Sequence, residues 1–177
     1  VGSGKTAVAA CAILPAIRSG YQAALMVPTE ILAEQHYSNI KRLFEPLGIE
    51  VAALIGKQNS RDRKRALQMT ESGEANLVVG THAVIQEGVK FDRLGLVVID
   101  EQHRFGVLQR AALREKGMGN PDVLVMTATP IPRTLTMTLY GDLDLSVIDE
   151  LPPGRKPIKT HHKLPLDRDS VYAGVKK

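Results

Sequence analysis

The sequence predicts an open α/β fold: a mostly parallel sheet with helices on both faces. Three observations predict it. Short apolar runs alternate with longer amphipathic stretches in a βα rhythm, and the turns between them are short. Polar residues able to do chemistry stand directly after several of the apolar runs, at the strand ends where such sheets collect their sites. Those residues are Thr29, Thr81, Asp100 with Glu101, and Thr127.

The elements follow in order. Residues 5–19 read as a helix that stops at Gly20, and residues 23–27 (AALMV) are a continuous apolar run ending at Pro28, which suits a buried parallel strand. Residues 30–44 are helical, with Ile31, Leu32, Gln35, Ile40, Leu43 and Phe44 spaced for one face. Residues 51–54 form a second strand, followed by a polar, basic helix over 60–72. The runs at 76–79, 96–99 and 123–126 are further strands, ending at Gly80, Asp100 and Thr127, and 145–148 is expected to complete the set. A proline-rich stretch, Glu150-Leu-Pro-Pro-Gly-Arg-Lys-Pro157, reads as a hinge. Residues 157–164 allow one more strand, and a helix is expected from Asp167.

Composition narrows the class. With 44% hydrophobic and 24% charged residues, the 177-residue chain is neither collagen-like, nor a disulfide scaffold, nor disordered. Its length fits one domain, or one domain with a piece of another. A single cysteine, Cys11, makes no internal disulfide and no zinc ribbon, which points to a reducing compartment, the cytoplasm. No apolar run approaches the ~20 residues of a membrane helix, so no membrane partner is expected. The net charge of +4 is uneven: residues 155–177 hold seven basic against two acidic groups, a net of +5, which leaves −1 for residues 1–154. The basic pI therefore reflects mainly the tail. Lys57, Arg61, Arg63, Lys64 and Arg65, opposed by Asp62, form an internal basic cluster that reads first as a solvated helix start.

Two motifs carry chemistry. Gly2-Ser3-Gly4-Lys5-Thr6 matches the back half of the phosphate-binding pattern G-x-x-x-x-G-K-[ST]. Glycines let backbone N–H groups close around phosphate oxygens, and the helix beginning near Lys5 aims its positive end there. Lys5 would neutralise the β/γ phosphates and the Thr6 hydroxyl would ligate Mg²⁺; an ordinary glycine-rich helix cap is the bland alternative. The strand that would normally carry this loop is expected before Val1, so the sheet is expected to be truncated at its N-terminal strand. The second motif is the run Leu96–Ile99 passing directly into Asp100-Glu101-Gln102-His103. A strand-end Asp can hold Mg²⁺ through water while Glu101 activates the attacking water, the alternative being a solvated acidic turn.

Other features stay ambiguous on the residues alone. Thr127-Ala128-Thr129-Pro130 is either a hydroxyl relay beside a nucleotide or a turn capping a helix from Ile131, and Pro28-Thr29-Glu30 reads first as a helix cap. His161 and His162 would point to opposite faces of a strand, which argues against a metal site. His36 and His82 read as polar helix or turn residues rather than ligands.

Assembled, these residues resemble the first RecA-like motor domain of superfamily 2 helicases. Gly2–Thr6 is similar to motif I, Pro28–His36 to motif Ia, Val79–Ala83 to motif Ib, Asp100–His103 (DEQH) to motif II of the DExH class, and Thr127–Thr129 to motif III. The longer strings FEPLGIEVA, VVGTHA, VIDEQHRFGVLQR, VMTATPIPRTLTMTLYGDLD and IDELPPGR resemble the RecG family of bacterial DNA helicases over residues 2–155. The transcription-repair coupling factors share similar RFGV and TATPIPRTL stretches, but their motif II lacks the histidine found at His103.

The resemblance implies ATP and Mg²⁺ as cofactors and forked or branched DNA as partner. It implies ATP binding by Gly2, Ser3, Gly4, Lys5 and Thr6, catalysis by Lys5, Asp100 and Glu101, and Mg²⁺ held by Thr6 and, through water, Asp100. His103, Thr127 and Thr129 would couple nucleotide state to DNA grip, while Pro28, Thr29, Thr81 and His82 would meet the sugar–phosphate backbone. Seven aromatic residues leave few stacking platforms, in keeping with a backbone-reading motor. The implied layout is a motor domain over 1–151, a hinge over 152–157 and the start of a second RecA-like domain over 158–177, with that second domain and a wedge domain in the same parent chain. A small-molecule P-loop phosphotransferase would need an acceptor pocket and lid that the sequence does not suggest. A nucleotide sensor without turnover would need no base such as Glu101.

Overall fold

The computed structural model describes residues 4–56, 58–86, 88–100, 120–128, 144–149, 160, 162, 164 and 167–175. The chain divides into two compact units, residues 1–147 and 148–177.

In the first unit, helix α1 (Lys5–Arg18) follows Gly4, which adopts φ 84°, a left-handed conformation that glycine takes without steric penalty. The Ser19 N–H closes the helix by donating to the Pro15 carbonyl at 2.9 Å, and the chain turns into strand β1 (Gln22–Met26). Helix α2 (Glu30–Phe44) is capped by the Thr29 hydroxyl, which accepts from the Leu32 N–H at 3.3 Å. Strand β2 (Val51–Leu54) leads to helix α3 (Ser60–Glu71), capped by Asn59, whose side-chain oxygen accepts from the Asp62 N–H at 2.8 Å. Strand β3 (Leu77–Gly80), a 3₁₀ turn (His82–Ile85), strand β4 (Leu94–Asp100) and strand β5 (Asp122–Met126) complete the unit.

The five strands form one sheet in the order β2-β3-β1-β4-β5, every adjacent pair parallel. Strand alternation sends successive residues to opposite faces. Ala23, Leu25, Val51, Ala53, Leu77, Val79, Leu96 and Val98 pack with Ala9 and Ile13 of α1 and Ala33, Ile40 and Phe44 of α2. Ala24, Met26, Ala52, Leu54, Val78, Val97 and Ile99 pack on the other side with Ala66 and Met69 of α3 and with Val84. Helices thus cover both faces, as expected. The central strands are apolar on both faces because neither face meets water. Among the described residues no helix is long and apolar enough to cross a membrane.

The expected strand over 145–148 does not form. Residues 144–149 have no regular structure, and Leu145, Val147 and Ile148 are exposed, so these side chains lack the sheet partner that would make an apolar run a strand. In the second unit, Thr160, His162 and Leu164 likewise lie outside any regular element, against the possible strand over 157–164. The helix expected from Asp167 is present as α4 (Arg168–Val175), with the Arg168 guanidinium 5.5 Å from the centre of the Tyr172 ring.

Candidate functional site

Parallel pairing aligns the strand ends that the sequence singles out. Met26 is in register with Gly80 on one side and Ile99 on the other, and Asp100 is in register with Met126. One residue further along therefore come Val27, Thr81, Asp100 and Met126 at one level, with Thr127 following Met126 on the same edge, and the Val27 N–H donates to the Gly80 carbonyl at 3.0 Å. Pro28 and Thr29 follow on the same edge, both exposed. Helix α1 enters this geometry from its connection. Its last turn joins the start of β1 through Ser19–Tyr21, so it runs antiparallel to the strands along the sheet face. At ~1.5 Å per residue, 14 residues run about 21 Å, enough to carry its amino end past the ~17 Å of β1 toward the carboxyl edge. Gly4, half-buried Lys5 and exposed Thr6 stand at that amino end, where unpaired N–H groups and the helix dipole favour an anion.

Asp100 has one neighbour of note. The His36 Nε2 lies 3.3 Å from Asp100 Oδ2, the two side chains being 13% and 14% exposed. Asp100 Oδ1 and His36 Nδ1 are both buried with no hydrogen-bond partner among the described residues. A buried carboxylate oxygen without a donor is costly unless something binds it. Mg²⁺ prefers hard oxygen ligands, keeps several waters, and is usually held by one or two protein groups plus substrate phosphates. The Asp100 oxygen and the Thr6 hydroxyl fit that donor set; among the described residues there is no cluster of three or more His, Cys, Asp or Glu that would form an all-protein cage.

The other expected residues have simpler settings. Thr29 is engaged in capping α2, as its sequence context suggests, with its backbone at the sheet edge. Thr81 is half-buried ahead of the 3₁₀ turn and accepts the Val84 N–H at 3.1 Å, while His82 is exposed. Arg61, Lys64 and Arg65 form an exposed face of α3, and Arg63 reaches the Gln86 side-chain oxygen at 3.4 Å. Gly2, Ser3, Lys57, Glu101, His103 and Thr129 lie outside the described residues. His36 is the residue that sequence reasoning missed. The available signal was its place on the inward stripe of α2, three residues after buried Ala33 and four before buried Ile40, where a polar side chain needs a partner.

A parallel five-strand sheet with helices on both faces, with a glycine-started helix and an aspartate at a strand's carboxyl end, is the layout of a P-loop-type nucleotide-binding domain. Residues 1–138 match the DEAD/DEAH box helicases, and the chain belongs to that family. More particularly, it is similar to the ATP-dependent DNA helicase RecG. It is 58% identical to the Streptococcus pneumoniae protein over 169 residues, 93% of this chain and 25% of that one. Identity to the Escherichia coli K12 protein is 61% over 163 residues, 90% of this chain and 24% of that one. A solved structure of RecG bound to a three-way DNA junction superposes with a TM-score of 0.84 at 47% identity, covering all of this chain and 24% of that one. The chain thus spans about a quarter of the length of the curated relatives it matches.

Proposed function

We propose that the chain is the first RecA-like motor domain of a DNA translocase that hydrolyses Mg-ATP to remodel forked and junction DNA. The observation that carries this is Asp100 at the carboxyl end of β4, its Oδ1 buried and without a hydrogen-bond partner among the described residues, on the sheet edge toward which the length and direction of α1 carry its amino end. The similarity to RecG, one solved example of which is bound to a three-way junction, supports the choice of substrate.

In this reading the backbone N–H groups of Gly2, Ser3 and Gly4 cradle the phosphates, and Lys5 offsets their charge. Thr6 and, through water, Asp100 would hold Mg²⁺, which would supply positive charge against the phosphates. Glu101 accepts a proton from the water that attacks the γ-phosphorus as the bond to the β–γ bridging oxygen breaks, yielding ADP and phosphate. His103, Thr127 and Thr129 report the change to the DNA-facing segments, Pro28–Thr29 and Thr81–His82. The motor domain occupies residues 1–151, a hinge 152–157, and 158–177 begin a second RecA-like domain, which with a wedge domain belongs to the parent chain.

The test is the ATPase of the full-length protein with no DNA, linear duplex, single strand and a three-way junction. The expected outcome is strongest stimulation by the branched form. Turnover indifferent to DNA would instead favour a nucleotide-only enzyme or sensor.

A further inference from the structure

We propose that His36 is a positioning residue for Asp100, and that helix α2 thereby links the Pro28–Thr29 turn to the nucleotide site; this rests on the reading that Asp100 holds Mg²⁺ through water. The two side chains come from separate elements, His36 from the second turn of α2 and Asp100 from the end of β4. His36 Nε2 approaches the carboxylate oxygen Oδ2 at 3.3 Å, and leaves Oδ1 buried and without a hydrogen-bond partner among the described residues. A carboxyl group at a strand end is otherwise free to turn about its own side-chain bonds. A contact on Oδ2 holds the plane of the group, and so sets where Oδ1 is presented. Both side chains are nearly buried, so water competes poorly for this contact.

The same geometry connects two surfaces. Thr29 caps α2 and His36 lies seven residues further on, about two helical turns or ~10 Å along the axis. β4 is paired on both sides, by β1 and by β5, and supplies a fixed reference for Asp100. Helix α2 packs as a unit on the sheet through Ala33, Ile40 and Phe44. A push on the exposed Pro28–Thr29 turn that shifts α2 along its axis or about it therefore moves the imidazole against Oδ2. Contact with a DNA backbone at that turn is in this way felt at the metal-holding carboxylate.

The experiment uses the full-length protein with His36→Ala, His36→Gln and, as reference, Asp100→Asn. Glutamine keeps a side-chain N–H at similar reach. Binding of a fluorescent ADP analogue is measured across a Mg²⁺ titration and in EDTA, and ATP hydrolysis is measured with and without forked DNA. His36→Ala is expected to raise the Mg²⁺ concentration for half-maximal binding by roughly tenfold, in the range seen when the partner of a metal ligand is removed. Binding in EDTA should stay at the wild-type level, DNA stimulation of kcat should fall more than KM rises, and His36→Gln should recover most of the loss. Wild-type Mg²⁺ dependence and DNA stimulation in His36→Ala would overturn the proposal. So would equal defects in both His36 variants accompanied by lost binding in EDTA, the pattern of a merely structural residue. If Asp100→Asn itself leaves the Mg²⁺ dependence unchanged, the metal-holding role of Asp100 fails first; a clear Asp100→Asn defect with a silent His36→Ala removes the His36 role alone.

Discussion

Gln22 and Arg93 are joined in both directions: the Gln22 backbone N–H donates to the Arg93 carbonyl at 2.7 Å, and the Arg93 N–H donates to the Gln22 side-chain oxygen at 3.0 Å. The Gln22 amide nitrogen also donates to the carbonyls of Thr70 and Ala75, at 2.9 and 2.8 Å. One buried side chain, 4% exposed, thus ties the start of β1 to the approach to β4 and to the end of α3. Gln22→Leu would strip partners from three backbone groups. The expected cost is about 2–4 kcal/mol of stability, given ~1–3 kcal/mol for each buried group left unsatisfied and partial relief by relaxation. Urea unfolding of variant and parent chains measures it. Gln22 lies at the amino edge of the sheet, opposite the site, so nucleotide affinity of the folded variant should not change.

Gly80 ends β3 immediately before Thr81. A Cβ there would run into the Leu54 carbonyl oxygen of the neighbouring strand and come within 2.7 Å of Val84 Cγ2. Backbone on one side and a fully buried valine on the other leave no route for relief. Gly80→Ala is expected to cost about 1–3 kcal/mol, the usual range for overpacking. It should also displace the Thr81–His82 turn, read out as weaker DNA binding by the full-length protein at unchanged nucleotide affinity. A stable variant with normal DNA affinity would show that the turn is not held by this contact.

The proposed division of labour between Lys5 and Glu101 separates binding from chemistry. In the full-length protein, Lys5→Ala should weaken nucleotide binding by about 10- to 100-fold, the equivalent of one charge-assisted hydrogen bond. Glu101→Gln should leave binding intact and lower kcat by about 10²- to 10⁴-fold, as expected for loss of a general base. Isothermal titration with a non-hydrolysable analogue, beside a steady-state ATPase assay, distinguishes the two. Near-normal turnover in Glu101→Gln would remove it from that role.

The +5 tail offers a charge-based expectation of its own. The 177-residue chain should bind single-stranded DNA weakly and without sequence preference, with affinity falling steeply as salt rises. Deleting residues 155–177 should remove most of that binding. Unchanged affinity after deletion would transfer the electrostatic footprint to the exposed basic face of α3, with Arg61, Lys64 and Arg65, and to the sheet-edge turns.

Local signals were legible where the chain's own chemistry sets the boundary. The bounds of α2 and β2 are read directly, because Thr29 caps the one and a four-residue apolar run defines the other. β1, β3, β4 and β5 are found within one or two residues. The place of Asp100 at a strand end is also legible, since an apolar run passes straight into it. Three things are not. The order β2-β3-β1-β4-β5 is invisible in a βα rhythm, which reads the same whichever strand lies beside which. Residues 145–148 have the composition of a strand, yet only a neighbouring edge with free hydrogen-bonding groups makes one, and that is a property of the assembled sheet. The pairing of His36 with Asp100 spans 64 positions and depends on how α2 lies over β4's end, so a histidine that looks like an ordinary helix residue becomes the partner of the strand-end carboxylate. Composition, capping and apolar period act between neighbours in sequence and determine the elements and which residues stand at the strand ends; which side chains then share a buried polar spot is decided by packing between distant segments, which only the tertiary structure contains.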